Sequence, residues 1–236
     1  MNNAKEIVII GEEEIGKTTL ANALLGWDIF PQSNDEEYIA TTAKQSRLLT
    51  QDRWITDTPG YNLFWSSIPA DTAMAVSQAD TVVVLLSEPL AEAYDPFTDD
   101  PDWDNAEEEE ELPADDSDGE TVEDVLAIPA VDFDWEEDRE KEKVLLEKLL
   151  EGKTRDIYFV IPYDSAEWGD EQIPLEQTLC NARERFAYLT DHSAEGFFCI
   201  DPMKALIGAI EADDEAIAQS GLLSLKAALL GEGALL

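Results

Sequence analysis

Two continuous apolar runs, Ile7-Val8-Ile9-Ile10 and Thr81-Val82-Val83-Val84-Leu85-Leu86, have the length and composition of strands buried on both faces of a parallel sheet. The first is expected at the centre. Two further strands are predicted over Asp156 to Ile161 and Gly196 to Ile200, and a hairpin over Lys44 to Leu49 and Arg53 to Thr56, turning at Thr50-Gln51-Asp52. Helical periodicity falls between them, at Thr18 to Leu25 with Gly26 as its stop, at Asp71 to Ala79, and at Trp135 to Leu150. In the last of these, Val144, Leu145, Leu146, Leu149 and Leu150 are expected to face the sheet, with Glu140, Lys141, Glu142, Lys143, Glu147 and Lys148 outward. Leu175 to Tyr188, a small extra helix over Met203 to Gln219, and a closing helix from Ser220 to Leu229 complete an alternating α/β pattern.

The first strand runs into Gly11-Glu12-Glu13-Glu14-Ile15-Gly16-Lys17-Thr18, which fits G-x-x-x-x-G-K-[ST] in the context that motif requires, strand before and helix after. A phosphate needs backbone N–H groups pointing inward, and Gly11 and Gly16 permit approaches that a Cβ would block. Lys17 is placed to neutralise β and γ oxygens, and Thr18 to offer Mg²⁺ a hydroxyl. The helix N-terminus, through Thr19, adds partial positive charge. Glu12, Glu13 and Glu14 are unusual on such a loop. At an effective dielectric near 20, like charges about 4 Å apart repel by roughly 4 kcal/mol, and outward side chains reduce this.

The polar stretch from Trp27 to Ala40 leads to Thr41-Thr42, and the hairpin then delivers Asp57-Thr58-Pro59-Gly60. This succession resembles the core of the Ras-like and Era-like, translation-factor-class P-loop GTPases. The resemblance implies a three-layer α/β fold with a mostly parallel six-stranded sheet, one antiparallel edge strand and helices on both faces. It also implies GTP or GDP and Mg²⁺ as ligands. Asp57 would hold Mg²⁺ through water, the Gly60 N–H would meet the γ-phosphate, and Thr42, rather than Thr41, would be the switch threonine. Metal contacts thus fall to Thr18, Thr42 and Asp57, and catalytic positioning to Lys17, Thr42 and Gly60.

The base-recognising half departs from that pattern. The family carries N-K-x-D where this chain has Ile161-Pro162-Tyr163-Asp164, so only Asp164 is carried over as a guanine contact. Asp201-Pro202-Met203-Lys204 stands in place of the S-A-K loop, and only Lys204 resembles it. Ser220 to Leu229 resembles the start of the Era-like closing helix. Tyr61 occupies the position where Ras-like members place a water-orienting glutamine, and Glu14 the position of an asparagine in potassium-using members. Hydrolysis is therefore expected to be slow or dependent on a partner.

Composition narrows the partners. The 236 residues suffice for one domain, and the formal charge of −39 argues against nucleic acid or an anionic membrane as a direct contact, leaving a protein with a basic surface. From Asp95 to Asp138 there are 21 acidic residues and no Lys or Arg. An acidic, partly disordered insertion over about 90–134 is the expectation. Cys180 and Cys199 match no metal spacing, and neither a signal peptide nor a membrane span is apparent, which predicts a cytoplasmic protein. Trp54 reads as core; Phe64 and Trp65 read as interface, suggesting a homodimer through the switch loops. Two alternatives to a GTPase switch stand beside it. One is a nucleotide-degenerate interaction module of the same fold, and the other a P-loop small-molecule kinase, which would leave Asp57-Thr58-Pro59-Gly60 without a role.

Overall fold

The computed structural model describes residues 4–31, 43–63, 67–87, 135–151, 156–165, 175–190 and 193–231. Thr41, Thr42, Phe64, Trp65 and the insertion over 90–134 lie outside them. Six strands form one sheet: β1 (Lys5–Ile10), β2 (Gln45–Thr50), β3 (Arg53–Asp57), β4 (Thr81–Leu85), β5 (Asp156–Pro162) and β6 (Phe197–Ile200). Their order is β2-β3-β1-β4-β5-β6, parallel throughout except for β2, which runs antiparallel to β3 at the edge. The alternating α/β pattern of the residues and the three-layer architecture that the family resemblance implied are both observed.

Strand geometry explains why β1 carries no polar residue after Glu6. Successive side chains point to opposite faces, so Val8 and Ile10 enter one core with α2 (Ala70–Gln78), α3 (Trp135–Leu150) and α4 (Leu175–Phe186). Ile7 and Ile9 enter the other, with α1 (Lys17–Leu25), α5 (Pro202–Glu211) and α7 (Leu222–Leu230). Burial on both sides requires an unbroken apolar run, and Ile7 to Ile10 are fully inaccessible. Among the described residues no helix is long and apolar enough to cross a membrane.

Three expectations are corrected. The inward stripe of α3 is Glu142, Leu145, Leu146, Leu149 and Leu150, spaced i, i+3, i+4, i+7 and i+8. Glu142 is 1% exposed and Val144 is 55% exposed, because helical phase outranks side-chain polarity at these two positions. The helix expected over Met203 to Gln219 is two helices, α5 and α6 (Asp214–Gln219). Ala212 breaks it in the left-handed region at φ 57, and the Asp213 carboxylate caps α6 by accepting from the Glu215 and Ala216 N–H groups. Trp54 is 41% exposed rather than core; it pairs with the exposed Leu48 across the edge hairpin and with Glu6 of β1, at the polar end of the sheet.

Candidate functional site

In a parallel sheet the loops that leave the C-terminal strand ends gather on one rim, where open α/β folds bind ligands. Gly11 to Gly16 leave β1 there, Asp57 to Tyr61 leave β3, Ser87 follows β4, Asp164 follows β5 and Asp201 follows β6. Gly11 lacks room for a side chain: a Cβ would sit 2.9 Å from Ile15 Cγ2 and 3.0 Å from the Leu85 carbonyl oxygen. Glu14 and Gly16 adopt left-handed backbone at φ 64 and φ 94, curling the loop into the first turn of α1. Gly16 gives that helix no side-chain cap.

Lys17 and Thr18 start α1 facing Asp57. The Thr18 hydroxyl donates to Asp57 Oδ2 at 2.8 Å, and the Lys17 ammonium donates to the Glu12 carbonyl. Lys17 and Asp57 are both buried. Burial pulls the Lys17 pKa down to about 8, against the opposing pull of Asp57, Glu13 and Glu12. A buried cation held by one carbonyl beside a carboxylate gains from a polyanion that can take several of its hydrogen bonds.

The turn after Asp57 is fastened from three directions. The Thr58 hydroxyl donates to the Ile9 carbonyl at 2.7 Å, and the Thr72 hydroxyl to the Pro59 carbonyl at 2.7 Å. The Tyr61 N–H donates to the Gly11 carbonyl at 3.1 Å, while the Tyr61 carbonyl accepts from the Glu13 N–H at 3.0 Å. Gly60 consequently lies so close to Glu13 that a Cβ would fall 2.6 Å from its N and Cα. The Tyr61 ring itself points away from the rim into the core, fully buried. Burial, with Glu142 alongside, raises its pKa well above the usual phenol value.

The three glutamates do not fill the loop. Glu12 turns its carboxylate to the Ser87 hydroxyl at 2.8 Å. Glu13 and Glu14 are exposed, with Asn62 Nδ2 3.4 Å from Glu13 Oε2. At the base end, Asp164 is half-buried beside a tie its sequence context did not suggest. Asp201, 1% exposed, accepts from the Ser165 N–H at 3.0 Å and hydroxyl at 2.6 Å, and from the Lys204 N–H at 2.8 Å. It thereby caps α5 and holds the chain next to Asp164. The signal was present in Asp201-Pro202, an N-cap residue followed by proline at the first helical position. Ser87 and Glu142 were also missed, and nothing in their local sequence marks them.

The structure thus brings Gly11 to Thr19 together with Asp57 and Gly60, places Asp164 on the same rim, and leaves Thr42 outside the described residues. The Thr18 hydroxyl and Asp57 carboxylate are hard oxygen donors of the kind Mg²⁺ takes. Among the described residues no cluster of three or more His, Cys, Asp or Glu could bind a metal alone, so oxygens from a phosphate would have to complete the shell.

Residues 6–161 match the family model described as 50S ribosome-binding GTPase, about two thirds of the chain. The chain belongs to this GTPase family. The matched stretch includes the phosphate loop and Asp57 to Gly60 and stops short of Asp164, so the family's signature here lies in the phosphate half. The chain is also similar to a solved structure of Era in complex with MgGDPNP and nucleotides 1506–1542 of 16S ribosomal RNA. That match has 11% identity and a TM-score of 0.48, over 86% of this chain and 53% of the other. A second similar structure, an Era variant from Aquifex aeolicus bound to GDP·AlF4⁻, has 14% identity and a TM-score of 0.45, over 84% and 51%. The chain spans about half the length of these solved structures. No curated protein matches it significantly.

Proposed function

We propose that the chain is a guanine-nucleotide switch that binds GTP and GDP with Mg²⁺ and hydrolyses GTP slowly or only with a partner. The observation that carries this reading is the 2.8 Å contact between Thr18 and Asp57 with buried Lys17 beside them, since nucleotide phosphate and its metal need those three groups at one point. Lys17 binds the β and γ oxygens, and the loop from Gly11 to Thr19 supplies backbone N–H groups apart from that of Glu13, which is donated to the Tyr61 carbonyl. Thr18 and Asp57 would hold the metal side, Asp57 through water. Bound Mg²⁺ adds charge neutralisation between the phosphates. Gly60 offers its N–H to the γ-phosphate and Asp164 reads the base, while Thr42, outside the described residues, is the proposed switch threonine.

Slow turnover follows from Tyr61. Its side chain is spent in the core, so the residue after Gly60 places nothing beside an attacking water. The chain is proposed to be one cytoplasmic domain with an acidic insertion at about 90–134, and its charge of −39 favours a basic protein surface as the direct contact. Two observations favour the nucleotide-degenerate module as a second reading: the Glu13 N–H is taken by Tyr61, and Ile161-Pro162 replaces the base-bracing pair.

Single-turnover incubation with GTP and Mg²⁺ separates the two. A switch retains nucleotide through gel filtration and converts it to GDP at a rate on the order of 10⁻⁴ to 10⁻² s⁻¹, the range of unassisted GTPases. Elution free of nucleotide would favour the module.

A further inference from the structure

A run of side-chain and main-chain hydrogen bonds connects α3 to the phosphate loop, and the proposed switch function does not use it. Glu142 lies on the inward stripe of α3 among Leu145, Leu146 and Leu149. A carboxylate among leucines is unfavourable unless hydrogen bonds hold its charge, and a leucine at 142 would continue the stripe. Its Oε1 accepts from the Tyr61 hydroxyl at 2.6 Å, and the Ser87 N–H reaches the same oxygen at 3.5 Å. The Ser87 hydroxyl continues to Glu12 Oε2 at 2.8 Å, and the Glu12 carbonyl takes the Lys17 ammonium. Tyr61 is thus gripped at both ends, by α3 through its ring and by Gly11 and Glu13 through its main chain.

We infer that Glu142 is a positioning residue for recognition of the terminal phosphate. By holding Tyr61 it keeps the adjacent Gly60 packed on Glu13, with the turn poised at the phosphate loop. The placement of α3 then biases the site toward triphosphate. A diphosphate has no terminal group for Gly60 to meet, so the tie acts on it only through the loop and Lys17 that both nucleotides share, and less strongly than on a triphosphate. This inference rests on the guanine-nucleotide reading proposed above.

The test uses the full chain and the variants Glu142→Leu, Glu142→Gln, Tyr61→Phe and Glu142→Leu/Tyr61→Phe. Affinities for GDP and for a non-hydrolysable GTP analogue, both with Mg²⁺, are measured beside the thermal midpoint. Glu142→Leu and Tyr61→Phe should each lower the ratio of GTP-analogue to GDP affinity about tenfold, the scale of one charge-assisted hydrogen bond. The double variant should fall no further than either single one. Glu142→Gln, whose amide oxygen still accepts, should stay near wild type. A lowered midpoint with an unchanged ratio would reduce Glu142 to a structural part and overturn the inference alone. Wild-type protein that binds neither nucleotide would overturn the inference together with the switch reading. Hydrogen exchange on the nucleotide-free protein adds an independent arm. Amides of residues 11–16 and 57–63 should exchange faster in Glu142→Leu, and protection equal to wild type would overturn the inference whatever the nucleotide data.

Discussion

The two ends of the rim are built by different means. At the phosphate end the work is done by main chain: the loop after β1 curls through Glu14 and Gly16, and Tyr61 joins it by two backbone hydrogen bonds. Lys17, Thr18 and Asp57 contribute side chains there, and the Thr58 and Thr72 hydroxyls fasten the turn to main-chain carbonyls. At the base end one buried carboxylate, Asp201, holds the segment beside Asp164 and the start of α5 together. Backbone geometry tolerates Glu12, Glu13 and Glu14 at variable positions because their side chains leave the loop, whereas a side-chain contact disappears when its residue changes. The phosphate end therefore keeps a family's form while the base end departs from it.

The sharpest way to break this contrast is Lys17→Ala, which removes the cation buried beside Asp57. Nucleotide affinity measured by calorimetry should fall at least about a hundredfold, with the circular dichroism spectrum unchanged. Next comes Gly60→Ala. Its Cβ would collide with Glu13 main chain at 2.6 Å, which cannot yield as a flexible side chain can. The turn should be displaced and discrimination of triphosphate from diphosphate should drop about tenfold in equilibrium binding.

A pH titration sharpens the same end without mutation. In the free protein Lys17 titrates near pH 8, and phosphate oxygens raise that pKa in the complex. Above pH 8 binding must therefore take up a proton, and affinity should decline toward tenfold per pH unit while the pH remains below the pKa of the complex. Calorimetry in buffers of different ionisation enthalpy would detect the uptake, and a flat profile from pH 7 to 9.5 would contradict it.

At the base end the effects should be smaller and of two kinds. Asp201→Ala removes the cap of α5 and the grip on Ser165, costing about 1–3 kcal/mol of stability in denaturant titration. It should weaken GTP and ATP binding alike. Asp164→Ala should instead change the ratio of the two, with little loss of stability, since Asp164 is only half-buried.

The residues explain why one end was legible from sequence. Ile7 to Ile10 and Thr81 to Leu85 have the length and composition of doubly buried strands, and G-x-x-x-x-G-K-T describes a backbone shape that survives three glutamates. What escaped depends on side-chain partners distant in sequence. Glu142 reads as solvent-facing until Tyr61, 81 residues away, is found to meet it. Ala212 breaks a helix without a glycine to announce the break. Glutamates 12 to 14 look obstructive until Ser87 is seen to draw Glu12 aside.

The most direct single measurement is competition at equilibrium: protein loaded with a fluorescent GDP analogue in Mg²⁺, challenged with unlabelled GTP and with ATP. We expect saturable one-to-one loading, release by GTP, and little release by ATP at the same concentration. Failure to load, or equal release by ATP, would contradict a guanine-nucleotide site at Lys17, Thr18 and Asp57.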